Sequence, residues 1–115
     1  MSIRIINMHK QYVRNLEPNE IFIRVDRFSV LGNPFYMMNE TMRDKVCDQY
    51  EIYFKEKLKQ KDGVFIKELR RIYCVAKSGK DIILGCWCAP RRCHAETIKR
   101  FIEEMLNKWK YVHVF

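Results

Sequence analysis

Asp81-Ile82-Ile83-Leu84-Gly85-Cys86, running into Trp87-Cys88-Ala89-Pro90-Arg91-Arg92-Cys93-His94, is the stretch that decides the fold. Its first part follows the turn Ser78-Gly79 and is apolar, which predicts a buried strand at the centre of a sheet. The second part, residues 87–94, is a loop that we call the cysteine loop. Beyond it, apolar residues recur at helical spacing and predict a helix packed on the sheet: Ile98, Phe101, Ile102, Met105, Leu106 and Trp109.

A second apolar run with a polar loop after it lies earlier in the chain. The run is Ile21-Phe22-Ile23-Arg24-Val25, and it predicts a strand that ends before the turn Gly32-Asn33-Pro34, where proline cannot donate to a ladder. We call residues 25–35 the glycine loop. Ligands bind at the carboxyl ends of strands in open α/β sheets. The candidate ligand-binding residues in this loop are therefore Arg27, Ser29, Gly32, Asn33 and Phe35. The alternative is a plain turn in which Asn33 bonds its own backbone.

The remaining segments complete an α/β pattern. Residues 3–8 predict a first strand, residues 42–61 and 65–76 predict two helices, and residues 111–115 predict a short last strand. This order predicts one domain over residues 1–115 with a small Rossmann-like α/β fold. Its sheet has three or four strands, is at least partly parallel, and carries three main helices. If the glycine loop and the cysteine loop meet at one edge of that sheet, they form a single site.

Composition indicates a basic protein with free thiols. The chain has 115 residues, and 22 Lys and Arg against 14 Asp and Glu give a net charge of +8 at pH 7. Such a surface attracts phosphorylated molecules and nucleic acid. The five cysteines are odd in number and clustered, which favours reduced thiols over disulfides. Neither a membrane-spanning apolar run nor a secretory signal is recognisable, so we expect a cytoplasmic protein with no membrane partner.

Two motifs carry a family resemblance. One is Arg27-x-Ser29 running into Gly32-Asn33-Pro34-Phe35, and the other is Cys86-Trp87-Cys88-Ala89-Pro90-Arg91-Arg92-Cys93-His94. Together with the helix start Arg43-Asp44-Lys45-Val46-Cys47-Asp48-Gln49-Tyr50, they resemble a widespread family of short bacterial and bacteriophage proteins described as a domain of unknown function. The resemblance covers nearly the whole chain and implies a bacterial or phage-infected host cell. It implies no established activity.

The cysteine loop offers the ligand types of a zinc site. Cys86, Cys88, Cys93 and His94 supply three thiolates and an imidazole, the set found at many zinc centres. Cys93 and His94 are adjacent, however, and neighbouring side chains at a helix start point in different directions. A site of three ligands, with Cys86, Cys88 and either Cys93 or His94, is the form that the spacing favours.

A nucleotide-like phosphate ligand is the main functional hypothesis. A helix beginning near Cys93 would favour thiolate over thiol and would also attract phosphate. Arg91 and Arg92 would clamp that phosphate. In the same pocket Arg27 and Asn33 would contact a base or sugar, and Phe35 or Trp87 would stack. Cys93, His94 and Glu96 are the candidate catalytic residues, with His94 or Glu96 transferring a proton.

Two other interpretations remain. The cysteines and Trp87 could simply pack beneath a tight turn. Alternatively, the protein is a zinc-containing basic accessory module that binds nucleic acid or a protein partner through lysines and arginines of the last helix: Lys99, Arg100, Lys108 and Lys110.

Overall fold

A parallel sheet of three strands organises the part of the chain that the computed structural model describes, residues 2–9 and 16–108. The strands are β1 (Ile3–Asn7), β2 (Glu20–Arg24) and β3 (Asp81–Cys86). The spatial order is β1-β3-β2, and Leu84 at the middle of β3 pairs with Ile5 on one side and Ile23 on the other. The apolar run at residues 81–86 therefore forms the central strand, as the sequence predicts.

Three helices follow the predicted pattern. They are α1 (Arg43–Gln60), α2 (Gly63–Lys77) and α3 (Ala95–Lys108), and a short 3₁₀ helix, Glu40–Met42, precedes α1. The α1–α2 junction is sharp because Lys61 takes the left-handed conformation and the Asp62 side chain accepts a hydrogen bond from the Phe65 N–H. These elements confirm the predicted α/β class with a parallel sheet and three main helices.

The helices that cover the sheet lie on one of its faces. Helices α2 and α3 contact each other and both contact β3, and α1 packs on α2. The buried side chains between these layers include Ile23, Leu69, Ile72, Ile82, Leu84, Ile98 and Ile102. Aromatic rings of α1 and α2 close one end of this core, where Phe54 and Phe65 meet edge to face with ring centroids 5.4 Å apart. This packed core holds the three strands in place and so positions the loops that follow them.

Some of the predictions are not tested by the described residues. The last strand at residues 111–115, Trp109 and Lys110 lie outside the described residues. The division into one domain likewise stays a prediction. None of the helices in the described part of the chain could cross a lipid bilayer.

Candidate functional site

A cavity of about 170 Å³ lies at the carboxyl ends of β2 and β3. The glycine loop contributes Arg27 and Asn33 to its wall, and the cysteine loop contributes Trp87 and Cys93. The two loops therefore meet at one edge of the sheet, as their positions after parallel strands require. The residues that line this cavity, which we call the main cavity, are Asp26, Arg27, Phe28, Asn33, Met37, Arg43, Val46, Cys47, Cys86, Trp87, Cys88, Arg92, Cys93 and His94.

Short backbone contacts fold the glycine loop. Ser29 donates to the Asp26 carbonyl oxygen through both its N–H (2.9 Å) and its Oγ (2.8 Å), and the Gly32 N–H donates to the Ser29 carbonyl oxygen. A Cβ atom on Gly32 would lie 2.5 Å from the Asp26 carbonyl oxygen and 2.7 Å from the Arg27 Cα, so only glycine fits there. Of the predicted ligand-binding residues, Ser29 and Gly32 thus shape the loop and are not among the residues that line the main cavity.

Arg27 and Asn33 hold the end of the glycine loop. The Arg27 guanidinium donates to the carbonyl oxygens of Asn33 (3.0 Å) and Phe35 (2.9 Å). The Asn33 Oδ1 accepts the Phe35 N–H at 2.9 Å, which is the turn that the alternative interpretation predicted. Its Nδ2, on a side chain only 8% exposed, makes no hydrogen bond to any described residue. Asn33 therefore keeps a donor available for a ligand while its acceptor is used structurally.

Phe35 does not join the site that the sequence predicted for it. Its ring packs edge to face on Tyr53 with centroids 5.9 Å apart, and it lines a separate surface pocket with residues of α1. The aromatic side chains at the main cavity are instead Phe28 and Trp87.

A buried carboxylate connects the two loops. Asp26 is only 2% exposed, and it accepts hydrogen bonds from Arg24 Nε (2.8 Å) and from Trp87 Nε1 (2.9 Å). Burial opposes ionisation of this carboxyl group, but the bonds from Arg24 and Trp87 outweigh it and hold its pKa below the ordinary value. Asp26 is therefore an anion at neutral pH and fixes the position of the Trp87 indole.

Two thiols face each other in the wall of the main cavity. The Sγ atoms of Cys86 and Cys93 are 3.5 Å apart, and Cys93 donates to Cys86. This bond lowers the pKa of Cys86 despite its burial, and the backbone N–H groups of Cys88 and Ala89 lower it further. The same bond, with burial, raises the pKa of Cys93. The raised pKa favours the protonated form of Cys93, whereas the sequence led us to expect a thiolate there.

His94 is buried and engaged with the end of β2. Its Nε2 bonds the carbonyl oxygen of Val25, and since that oxygen only accepts, Nε2 carries the hydrogen. The ring also meets Tyr50 edge to face, with centroids 5.0 Å apart. Burial lowers the pKa of His94 more than the Val25 carbonyl raises it, so the ring is neutral at pH 7 and Nδ1 keeps its lone pair.

Glu96 has a structural contact at the start of α3. Its Oε2 accepts the Cys93 N–H at 3.2 Å, so it satisfies a backbone donor beside the helix, which begins at Ala95. Glu96 is not among the residues that line the main cavity.

The two arginines of the cysteine loop are paired with acidic side chains. Arg92 bonds Asp44 at 3.0 Å and Asp48 at 2.8 Å, both on α1, while Arg91 bonds Glu40 at 2.6 Å. The two guanidinium groups therefore attach the cysteine loop to the region of α1 and do not form the bidentate phosphate clamp that their adjacency suggested.

A second cavity adjoins the first. It has a volume of about 200 Å³ and shares Arg43, Trp87 and Cys88 with the main cavity. Arg91 also lines it, and Arg43 and Arg91 both bond the single carboxylate of Glu40. Arg43 lowers the pKa of Glu40 to about 2, so this group stays charged, yet one carboxylate neutralises only one of two guanidinium groups. Two guanidinium groups thus line this second cavity and share one carboxylate.

The predicted zinc site is not supported by this geometry. Within residues 2–9 and 16–108, no group of three or more His, Cys, Asp or Glu side chains is placed to hold a metal ion. Cys86 and Cys93 bond each other, and the Nε2 of His94 is held by a carbonyl oxygen. Among the described residues, no set of His, Cys, Asp or Glu side chains completes a metal site with Cys88.

Sequence reasoning missed several residues of the site. Asp26 is the first residue after the predicted strand at residues 21–25 and precedes Arg27, so its position was a usable signal. Arg43, Met37 and Cys47 reach the main cavity from α1 and the segment before it, and their local pattern carries no such signal.

These features define a small α/β protein with a paired-thiol cavity at the carboxyl edge of a parallel sheet. Residues 6–104 match the family model described as a domain of unknown function, DUF4326, and the chain belongs to that family. No curated protein and no solved structure matches the chain. The phage or bacterial setting, the cytoplasmic location and the binding of nucleic acid or a protein partner stay predictions.

Proposed function

We propose that the protein binds a nucleotide-like ligand, with its base in the main cavity and its phosphate beside Arg43 and Arg91. The observation that carries this proposal is the pair of adjoining cavities, of which one is mostly apolar and the other is lined by two arginines. A ligand with one planar apolar part and one anionic part matches that division.

The size of the main cavity favours a single ring system. Sites that enclose a drug-sized ligand have roughly 300 to 1,000 Å³. The main cavity, at about 170 Å³, is smaller and suits a fragment such as a nucleobase. Phe28 and Trp87 provide aromatic surface against which a planar ring can stack.

Two polar groups can orient such a ring. The Nδ2 of Asn33 is an unused donor, and the Nδ1 of neutral His94 is an acceptor with no bond to any described residue. A small number of placed polar groups in a mostly apolar cavity is the usual basis of orientation and specificity. A base with both an acceptor and a donor on its edge satisfies both groups.

The second cavity supports the phosphate. Arg43 and Arg91 both line this cavity and share the single carboxylate of Glu40, and a guanidinium fork suits a phosphate group. Arg91 is 65% exposed, which leaves its remaining N–H groups open to a ligand.

Thermal unfolding of untagged protein with three probes tests the proposal. The probes are a panel of nucleoside monophosphates, the matching nucleosides, and inorganic phosphate. A ligand at about 100 times its Kd stabilises the folded state by roughly 2.7 kcal/mol. We expect the largest rise in Tm for a monophosphate, a smaller rise for its nucleoside, and the smallest for phosphate alone.

Two variants separate the parts of the site. Asn33→Asp keeps the oxygen that accepts the Phe35 N–H but removes the donor, and we expect it to abolish the nucleoside response. Arg91→Gln should remove only the extra response to the phosphate. Arg71→Gln is the matched control, because Arg71 also forms an exposed ion pair with a glutamate, Glu68 on α2. A panel with no Tm response, or responses unchanged in both site variants, would rule out the proposed function.

A further inference from the structure

Cys86 and Cys93 form a close pair of thiols, and the proposed ligand binding does not require their redox chemistry. Their Sγ atoms, 3.5 Å apart, lie in the wall of the main cavity, and the residues are 1% and 4% exposed. A disulfide requires the two sulfurs to approach to about 2.05 Å. Cys86 is the last residue of β3 and Cys93 lies two residues before α3, so the two sulfurs must approach by roughly 1.5 Å to form the bond.

The two sulfurs have different roles in this pair. Cys93 donates its hydrogen to Cys86, and the backbone N–H groups of Cys88 and Ala89 also bond the Cys86 sulfur. The Cys93 S–H that is directed at the Cys86 sulfur favours the thiolate of Cys86, which is the nucleophilic form. Cys86 can also donate to the Ile6 carbonyl oxygen at 3.5 Å, but only when it is protonated. The lowered pKa of Cys86 agrees with the arrangement in which Cys93 keeps the proton.

We propose that Cys86 and Cys93 form a peroxide-reactive dithiol in which Cys86 attacks and Cys93 resolves. The Cys86 thiolate attacks one oxygen of hydrogen peroxide, the O–O bond breaks, and hydroxide leaves, which converts Cys86 to a sulfenic acid. Cys93 then gives up its proton and attacks the Cys86 sulfur, and the sulfenic hydroxyl leaves as water. In total, two thiols are oxidised to one disulfide and one peroxide is reduced to two water molecules.

The burial of the two thiols favours a small oxidant such as hydrogen peroxide. A main cavity of about 170 Å³ admits hydrogen peroxide, whereas a bulky disulfide such as oxidised glutathione cannot reach sulfurs that are almost fully buried. Exposed Cys74 on α2 provides the internal comparison, because any oxidant in solution reaches it. The inference does not rest on the proposed ligand, since it needs only the two thiols and the cavity.

Peptide mapping of peroxide-treated full-length protein tests the pairing. The protein is oxidised with a limited amount of hydrogen peroxide, denatured, alkylated and digested. We expect the number of alkylated cysteines to fall from five to three, with a single Cys86–Cys93 cross-link. Replacing the peroxide with oxidised glutathione should leave this pair reduced and modify Cys74.

Two variants test the order of attack. In Cys93→Ser, the reaction should stop at the sulfenic acid, so dimedone should label Cys86. In Cys86→Ser, Cys93 should lose its reactivity and remain unlabelled. Cys74→Ser is the matched control and should form the Cys86–Cys93 disulfide as the unchanged protein does.

Other outcomes would overturn the proposal. These are a disulfide between Cys86 and Cys88, oxidation of Cys74 while Cys86 and Cys93 remain reduced, or dimedone labelling of Cys93 in Cys86→Ser. The mapping on unchanged protein decides the pairing even if a variant does not fold.

Discussion

The two loops that enclose the main cavity are held in different ways. The glycine loop is fastened to itself, because Arg27 and Ser29 bond its own backbone and Gly32 lies against Asp26. The first residues of the cysteine loop are held by Asn7, which donates to the Trp87 and Ala89 carbonyl oxygens, and by the bond from Trp87 to Asp26. Its later part is fastened to α1 by ion pairs in which Arg92 is one-third exposed and its partners more so. Partly buried hydrogen bonds, such as those from Arg27 to Asn33 and from Ser29 to Asp26, cost more to break than exposed ion pairs, which contribute little and are screened by salt. We therefore expect the wall formed by the glycine loop to be fixed and the Arg91-Arg92 end of the cysteine loop to be adjustable.

The largest expected effect is in the glycine loop, at Gly32. In Gly32→Ala the new Cβ would lie 2.5 Å from a backbone oxygen, so the backbone itself must shift. We expect the free energy of unfolding to fall by about 3 kcal/mol, measured by urea denaturation. Gly63→Ala is the control, since a Cβ there meets nothing within 4 Å and alanine favours the start of α2. Equal effects at the two positions would mean that the loop is not tightly closed.

The next largest effect on the free energy of unfolding is expected at Asp26, which links the glycine loop to Trp87 of the cysteine loop. Asp26→Asn removes the charge that accepts from Arg24 and Trp87, and we expect a loss of about 2 kcal/mol at pH 7. The folded pKa of Asp26 is lowered, so its contribution is present above the unfolded pKa, about 3.9, and is lost as pH falls through the folded pKa. The difference between the two proteins should therefore shrink below about pH 4. A difference that is constant down to acid pH would contradict this.

A smaller effect is expected where the glycine loop meets α1. The buried hydroxyl of Tyr50 donates to the Leu31 carbonyl oxygen at 2.7 Å. Tyr50→Phe leaves that oxygen without its donor and should cost about 1 kcal/mol in thermal or urea unfolding. Tyr53→Phe removes a hydroxyl that bonds no described residue, and it should have almost no effect.

The smallest effect on stability is expected in the cysteine loop. Arg92→Gln removes the exposed pairs with Asp44 and Asp48, and the loss should be below about 0.5 kcal/mol. Amide hydrogen exchange in residues 87–94 should nevertheless become faster, and high salt should produce the same change in the unchanged protein. Arg71→Gln should leave that exchange unaltered. A stability loss of several kcal/mol in Arg92→Gln would show that both walls are fixed.

Local sequence patterns were sufficient for the sheet and the edge of the site. The apolar run of β3 and the strand-then-turn patterns after Val25 and Cys86 identify strand ends, and parallel strands place those ends at one edge. The meeting of Asn33 and Cys93 in one cavity follows from this alone.

Long-range partners were not visible in the same patterns. Adjacent Arg91 and Arg92 suggested a phosphate clamp. Their acidic partners could not be seen in the local sequence, because Glu40, Asp44 and Asp48 lie more than 40 positions earlier. His94 was interpreted as a possible metal ligand, because the residues next to it in the sequence do not indicate that its ring bonds the Val25 carbonyl oxygen just after β2. Residue type and spacing report what a side chain is able to bind, whereas its actual partner depends on which segments the fold brings together.

The strand order also constrains how the protein is made. Both β1 and β2 pair only with β3 among the described strands, and β3 is the last of the three to be synthesised. Until β3 has been synthesised, neither β1 nor β2 has its partner among the described strands. We therefore expect the sheet, the two cavities and the thiol pair to form only after residues 81–93 have been synthesised.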